Sequence, residues 1–215
     1  MQTDDSGSGN TLSAQRIVTA ALERIEADGA AALTMRNVAR SLGATPMSLY
    51  RHVRDKAELE ALVVDRVLDG VAEVAVEGDW RERAAALHGE LRRVLLERPA
   101  VGRLVTECWA GSRGRTRIQD RLYGILREAG FSGPDVVIAA DALELYTLGS
   151  ICHDLTDATR AERAGAGRLA HIGLESTPNL VEYAVWLVKR DADVMFASGY
   201  AALLEGLEVA LARAG

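Results

Sequence analysis

Leu33–Lys56 reads LTMRNVARSLGATPMSLYRHVRDK. Met35, Val38, Ala39 and Leu42 occupy the i, i+3, i+4, i+7 positions of one helical face, so a short amphipathic helix is predicted, capped by Thr34 and ended by Gly43. Thr45 is a good N-cap and Pro46 suits a first helical position. A second, very short helix therefore opens there, its turn running to about His52. Leu49 and Val53 face inward, which leaves Thr45, Met47, Ser48, Tyr50, Arg51 and His52 outside. An outward Tyr beside Arg and His has no work in a purely structural helix. It suits an element that is braced by the preceding helix and enters a DNA major groove about 12 Å wide, with donors for bases or phosphates. The competing reading is a small helical hairpin inside a larger bundle.

Outward from this stretch the signal stays helical. Ile17, Ala21, Leu22 and Ile25 form the stripe of a first helix that Gly29 can close. Asp55 with Glu58 resembles a capping box opening a fourth helix, which carries Leu59, Leu62, Val63, Val67, Val71 and Val74 and stops at Gly78. Asp79 caps a fifth, with Trp80, Ala84, Leu87, Leu91, Val94 and Leu95 on one side, until Pro99. Further helices are expected at about 100–110, 115–129, 134–156 and 179–213, the last broken near Asp191, with a mobile connection from Ala158 to Thr177. No segment reads as a strand, so the fold class is all-α. The predicted division is a disordered arm at 1–10, a DNA-binding helix-turn-helix domain at 11–57, and a larger helical domain at 58–215 for ligand binding and dimerisation.

The net charge is -6 over 215 residues, which by itself argues against a polyanionic partner. Distribution decides otherwise. Arg16, Arg24, Arg36, Arg40, Arg51, Arg54 and Lys56 face only Glu23, Glu26, Asp28 and Asp55 between Thr11 and Lys56. With 48% hydrophobic and 26% charged residues, and no apolar run of the roughly 18 residues that span a bilayer, a globular protein without a membrane partner is expected. The opening MQTDDSGSGN has no basic-then-apolar signal, which places the expectation in the cytoplasm.

Thr34, Arg36, Val38, Ala39, Leu42, Gly43, the Met47-Ser48-Leu49-Tyr50 run, His52, Val53 and Lys56 resemble, without gaps, the TetR family of one-component bacterial repressors. The closing Phe196, Gly199, Tyr200, Leu203, Leu204, Gly206 and Leu207 look like the final dimerisation helix of its tetracycline-repressor-like subgroup. The resemblance implies an all-helical homodimer released from a palindromic double-stranded DNA operator by a small-molecule effector. It implies DNA contacts from Thr34, Arg36, Thr45, Met47, Ser48, Tyr50, Arg51 and His52, with Lys56 on a phosphate. The chain departs from the tetracycline repressors at Pro46, Met47 and Arg51. An Arg at 51 favours guanine, whose O6 and N7 accept two hydrogen bonds.

In the larger domain polar groups interrupt apolar helices: His88, Glu107, Trp109, Glu144, Tyr146, His153 and Trp186 are the candidates to line an effector pocket. Each also fits a helix with one wet face. His153 and Asp154 are the only adjacent pair with ligand chemistry, without repeated metal spacing, so no metal or other cofactor is expected. A metal-responsive regulator and an effector-independent architectural dimer are the alternatives. Catalysis is not expected, because no phosphate loop, dinucleotide fingerprint, metalloprotease helix or nucleophile elbow occurs. Cys108 and Cys152 read as buried free thiols. Arginines at 113, 115, 117 and 121 read as the solvated face of a helix whose buried side is Ile118, Leu122 and Ile125.

Overall fold

The computed structural model describes residues 12–75, 77–108, 112–163 and 177–214. Among them the regular structure is helical, with no strand. The chain divides into two compact units: residues up to Glu73 with Glu97–Ile118, and Val74–Leu96 with Gln119 onward.

The first unit holds α1 (Ala14–Asp28), α2 (Met35–Ser41), α3 (Pro46–Leu49), α4 (Lys56–Val67), α6 (Pro99–Cys108) and the start of α7 (Arg113–Glu128). The first four helices open on side-chain caps: Ser13, Thr34, Thr45 and Asp55 accept from the amides of Arg16, Asn37, Ser48 and Glu58. Ile17, Ile25, Leu33, Val38, Leu49, Leu59, Val63 and Val64 are wholly buried and form the core in which α4 and α6 both pack on α1. Arg98 also pairs with Glu26 of α1. Gly43 takes φ 62°, a left-handed conformation that glycine enters at little cost, and α2 ends there as the sequence predicts.

The fourth helix is shorter than predicted. It ends at Val67; Leu68 closes it, Gly70 sits at φ 85°, and Val71–Glu73 form a 3-10 turn. Val71 is nonetheless buried, so the apolar rhythm continues across a break that glycine makes. Just before the break the end of α4 meets the start of α7. Asp65 accepts from the Ser112 hydroxyl and the Gly114 amide, both at 2.8 Å, while Ser112 Oγ accepts from the Arg115 amide. The approach is tight: a Cβ on Gly114 would lie 2.8 Å from Leu68 Cβ.

The second unit holds α5 (Trp80–Leu96), the remainder of α7, α8 (Pro134–Arg163), α9 (Pro178–Val188) and α10 (Ala192–Ala214). Asp79 and Glu82 form a reciprocal capping box at the start of α5, as the sequence predicts in part. α5 and α10 both pack on α8. Gly199 is needed where α10 meets α8, because a Cβ there would fall 2.0 Å from the Tyr146 hydroxyl. The closing segment is broken where Asp191 caps α10, accepting from the amides of Asp193 and Val194.

Two further expectations are corrected. α8 continues to Arg163, so the start of the predicted mobile connection is helical, and residues 164–176 lie outside the described residues. Cys152 is exposed and free rather than buried, because it lies on the outer face of α8, seven residues beyond the exposed Leu145. The Cys108 side chain lies outside the described residues.

Candidate nucleic-acid interface and effector site

All nine residues singled out for DNA belong to the first unit: Thr34 and Arg36 at the start of α2, Thr45, Met47 and Ser48 on α3, Tyr50, Arg51 and His52 in the turn that continues it, and Lys56 opening α4. Eight are exposed and Ser48 is half-buried. Leu49 and Val53 are buried and anchor α3 through its opposite side. Three hydroxyls serve the backbone first. Those of Thr34 and Thr45 cap α2 and α3, and Ser48 Oγ donates to the Thr45 carbonyl at 2.6 Å. Asn37 Nδ2 donates to the Ala32 carbonyl at 2.9 Å and fixes α2 to the preceding turn. Sequence reasoning passed over this positioning contact.

Among the described residues the side chains of Arg36, Met47, Tyr50, Arg51 and His52 have no hydrogen-bond or ionic partner, and Met47 is 72% exposed. Lys56 Nζ pairs with Glu60 at 3.0 Å on a half-exposed surface, a contact weak enough to exchange for a phosphate. The Arg54 amide and guanidinium bond Glu58, and the amide bond foremost holds that carboxyl below its usual range.

The effector candidates do not form one set. His88 and Tyr146 lie where α5, α8 and α10 meet, each with its ring beside Tyr200, and Glu144 is buried on α8. The Tyr146 hydroxyl donates to the Met195 and Phe196 carbonyls, and its ring stacks on Phe196 at 5.8 Å. His88 is 1% exposed, with Nδ1 2.9 Å from the Tyr200 hydroxyl and 3.1 Å from that of Thr147. Those hydroxyls can donate to the carbonyls of Ala84 and Leu143, so a proton on Nδ1 satisfies all three groups. Burial pushes the imidazole down to about 4, opposed by a hydrogen bond to Leu143, and pushes the Tyr200 phenol up.

Next to this group, and missed by sequence reasoning, is Arg92. Its buried guanidinium pairs with Asp154, at 2.8 Å, and with Asp193, and lies 5.0 Å over the Phe196 ring. Burial opposes its charge, but the two carboxylates outweigh burial and raise its pKa. An Arg at the i+4 position from His88, on the apolar side of α5, was the available signal. His153 is exposed and bonded by Arg190, which also pairs with Asp154. Trp186 is exposed on α9. Trp109 and the Glu107 side chain lie outside the described residues. A groove of about 440 Å³ lies elsewhere, between Phe131, Ile138 and Ala139 and the Leu207, Ala210 and Leu211 side of α10; no effector candidate lines it. Among the described residues no three His, Cys, Asp or Glu side chains gather as metal ligands.

Comparison with known proteins agrees with this geometry. Residues 17–61 match the family described as bacterial regulatory proteins, tetR family, and residues 75–211 match the tetracyclin repressor-like C-terminal domain. An HTH-type transcriptional regulator of Saccharopolyspora erythraea is 38% identical over 143 residues, covering 65% of this chain and 60% of the relative. The HTH-type transcriptional repressor DrrR1 of Streptomyces coeruleorubidus is 30% identical over 167 residues, covering 72% and 58%. The matched segment thus spans about three fifths of the length of these relatives. Apo ActR of Streptomyces coelicolor superimposes with a TM-score of 0.80 at 28% identity, covering 95% of this chain and 98% of ActR. ActR has also been solved with actinorhodin, where the TM-score is 0.77 at 27% identity, over 95% and 99%. BioQ with its natural double-stranded DNA operator gives 0.70 at 28% identity, over 92% and 98%. A helix-turn-helix match at the N-terminus and a C-terminal match over most of the remaining chain together establish that this chain belongs to the TetR family of bacterial transcriptional regulators.

Proposed function

We propose that the protein is a cytoplasmic, homodimeric repressor that binds a palindromic DNA operator and is released by a small-molecule effector, with no catalytic role. The observation that carries this reading is the outward face of Met47, Tyr50, Arg51 and His52, held by buried Leu49 and Val53 and left without protein partners among the described residues. In this reading Tyr50, Arg51, Met47, Ser48 and Thr45 address base edges, while Thr34, Arg36, His52 and Lys56 address the backbone or its edges. Residues 11–57 form the DNA-reading part and 58–215 the effector-binding and dimerisation part.

Dimerisation explains the apolar surface of α8 and α10. Ile138, Leu145 and Cys152 recur every seven residues along α8, as do Met195, Ala202 and Val209 along α10, and all are exposed in the single chain. Both helices are long and apolar enough to cross a membrane by length and composition. A two-fold four-helix interface buries the same stripes without one. It also sets two heads about 34–36 Å apart, the spacing of successive major grooves on one face.

Release needs an effector that prefers a spacing unsuited to DNA. A hundredfold preference supplies about 2.7 kcal/mol of coupling. The complex of ActR with actinorhodin supports a small organic molecule as the effector. The test joins two measurements: a thermal-shift screen of apolar metabolites and antibiotics on free protein, then titration of each stabilising compound into the protein–DNA complex. A stabilising compound should dissociate the complex. One that binds tightly and leaves DNA affinity unchanged contradicts release, because differential affinity is what release consists of.

A further inference from the structure

Met47 combines features that the fold does not use. Its side chain is 72% exposed although it is unbranched and apolar, and it lies in the first turn of α3 with Tyr50 and Arg51 at i+3 and i+4, both also exposed. The surrounding surface is cationic, with Arg36, Arg40, Arg51, Arg54 and Lys56 exposed against Asp55 and half-buried Glu58 and Glu60. That charge fits a polyanion, and on such a partner a thioether has few options. It carries no donor for a phosphate or for guanine O6 and N7, and its sulfur is only a weak acceptor. The major groove offers one apolar group, the C5 methyl of thymine.

We propose that Met47 reads this methyl group and so makes the operator require a thymine at one position of each half-site. The inference rests on the DNA-binding reading above and adds a specificity determinant to it. Arg51 lies in the turn that continues α3 with the i to i−4 bonds Tyr50 N–H to Pro46 and Val53 N–H to Leu49, so a helix-like spacing of about 5–6 Å, against 3.4 Å per base step, puts the thymine one or two base pairs from the base addressed by Arg51.

The test uses the full chain and a duplex enriched by it from a randomised DNA library. Each thymine is replaced in turn by deoxyuridine, which removes only the methyl group, and affinities are measured for the unaltered protein, Met47→Ala and Met47→Leu. Because Met47 is exposed, both variants should melt with the unaltered protein. One thymine per half-site should prove sensitive, with about a fourfold loss for one half-site and about fifteenfold for both, the effect of one methyl group buried in each. Met47→Ala should lose this discrimination and Met47→Leu should keep it. An equal deoxyuridine penalty in the unaltered protein and Met47→Ala, or no sensitive thymine, overturns the assignment while leaving DNA binding intact. Failure to enrich any sequence overturns the DNA-binding reading itself.

Discussion

Replacing His88 by Phe should remove an acid sensitivity built into the second unit. The imidazole is 1% exposed and is held down to about 4 by burial, against 6.5 for the free side chain. Its folded value is depressed, so the stability it permits is fully present above pH 6.5 and is lost as pH falls toward 4, where the unfolded chain takes up a proton that the folded chain refuses. The complete loss is about 3 kcal/mol, of which about 2 kcal/mol is already lost at pH 5. Phe is a suitable replacement because the Tyr200 and Thr147 hydroxyls keep acceptors in the Ala84 and Leu143 carbonyls. The assay is urea unfolding at pH 7.5 and pH 5 at one fixed protein concentration, since the proposed dimerisation would make stability concentration-dependent. Other carboxylates and histidines titrate equally in both proteins, so the difference between their pH responses isolates position 88. Phe at this position should reduce the stability lost between the two pH values by about 2 kcal/mol. An unchanged pH response would refute the claim that His88 is held neutral by burial.

Arg51→Ala should lower affinity for the enriched duplex by about tenfold or more per half-site with unchanged melting, and 7-deazaguanine at the position it reads, which lacks N7, should weaken the unaltered protein but not the variant. Asp65→Ala leaves the buried Ser112 hydroxyl and Gly114 amide without their acceptor and should cost about 2 kcal/mol, measured by urea unfolding. Leu145→Glu places a charge on the outer stripe of α8, where Leu145 is 70% exposed in the single chain, and should give folded monomers in sedimentation. A dimer unaffected by it would move the interface elsewhere.

What the sequence revealed and what it hid divide by range. The helix-turn-helix was legible because its signals are local: Thr34, Thr45 and Pro46 mark the starts, Gly43 the stop, and Leu49 and Val53 the inward face within a few residues of one another. The end of α4 was misread because Val67, Val71 and Val74 keep a helical rhythm through Gly70, and periodicity alone does not register a break that preserves the apolar face. His88 and Tyr146 were singled out as polar intrusions, but their partners were not, because Tyr200 is 112 residues from His88 and the Met195 carbonyl 49 from Tyr146. Arg92 was hidden for the same reason: its carboxylates stand 62 and 101 residues away, and a lone Arg on an amphipathic helix is ordinarily solvated. Cys152 was read as buried from apolar neighbours such as Ile151 and Leu155, which are in the core, whereas its own position falls on the outward face of α8 with Leu145.

DNA recognition by the exposed face of α3 is tested most directly by selecting duplexes from a randomised library with the unaltered protein and, in parallel, with a Tyr50→Ala, Arg51→Ala double variant. The unaltered protein should enrich an inverted repeat whose half-site centres lie about one helical turn, or a multiple of it, apart, and the variant should enrich nothing above the starting pool while melting normally. Enrichment of the same repeat by both proteins, or of no sequence by either, would contradict the account.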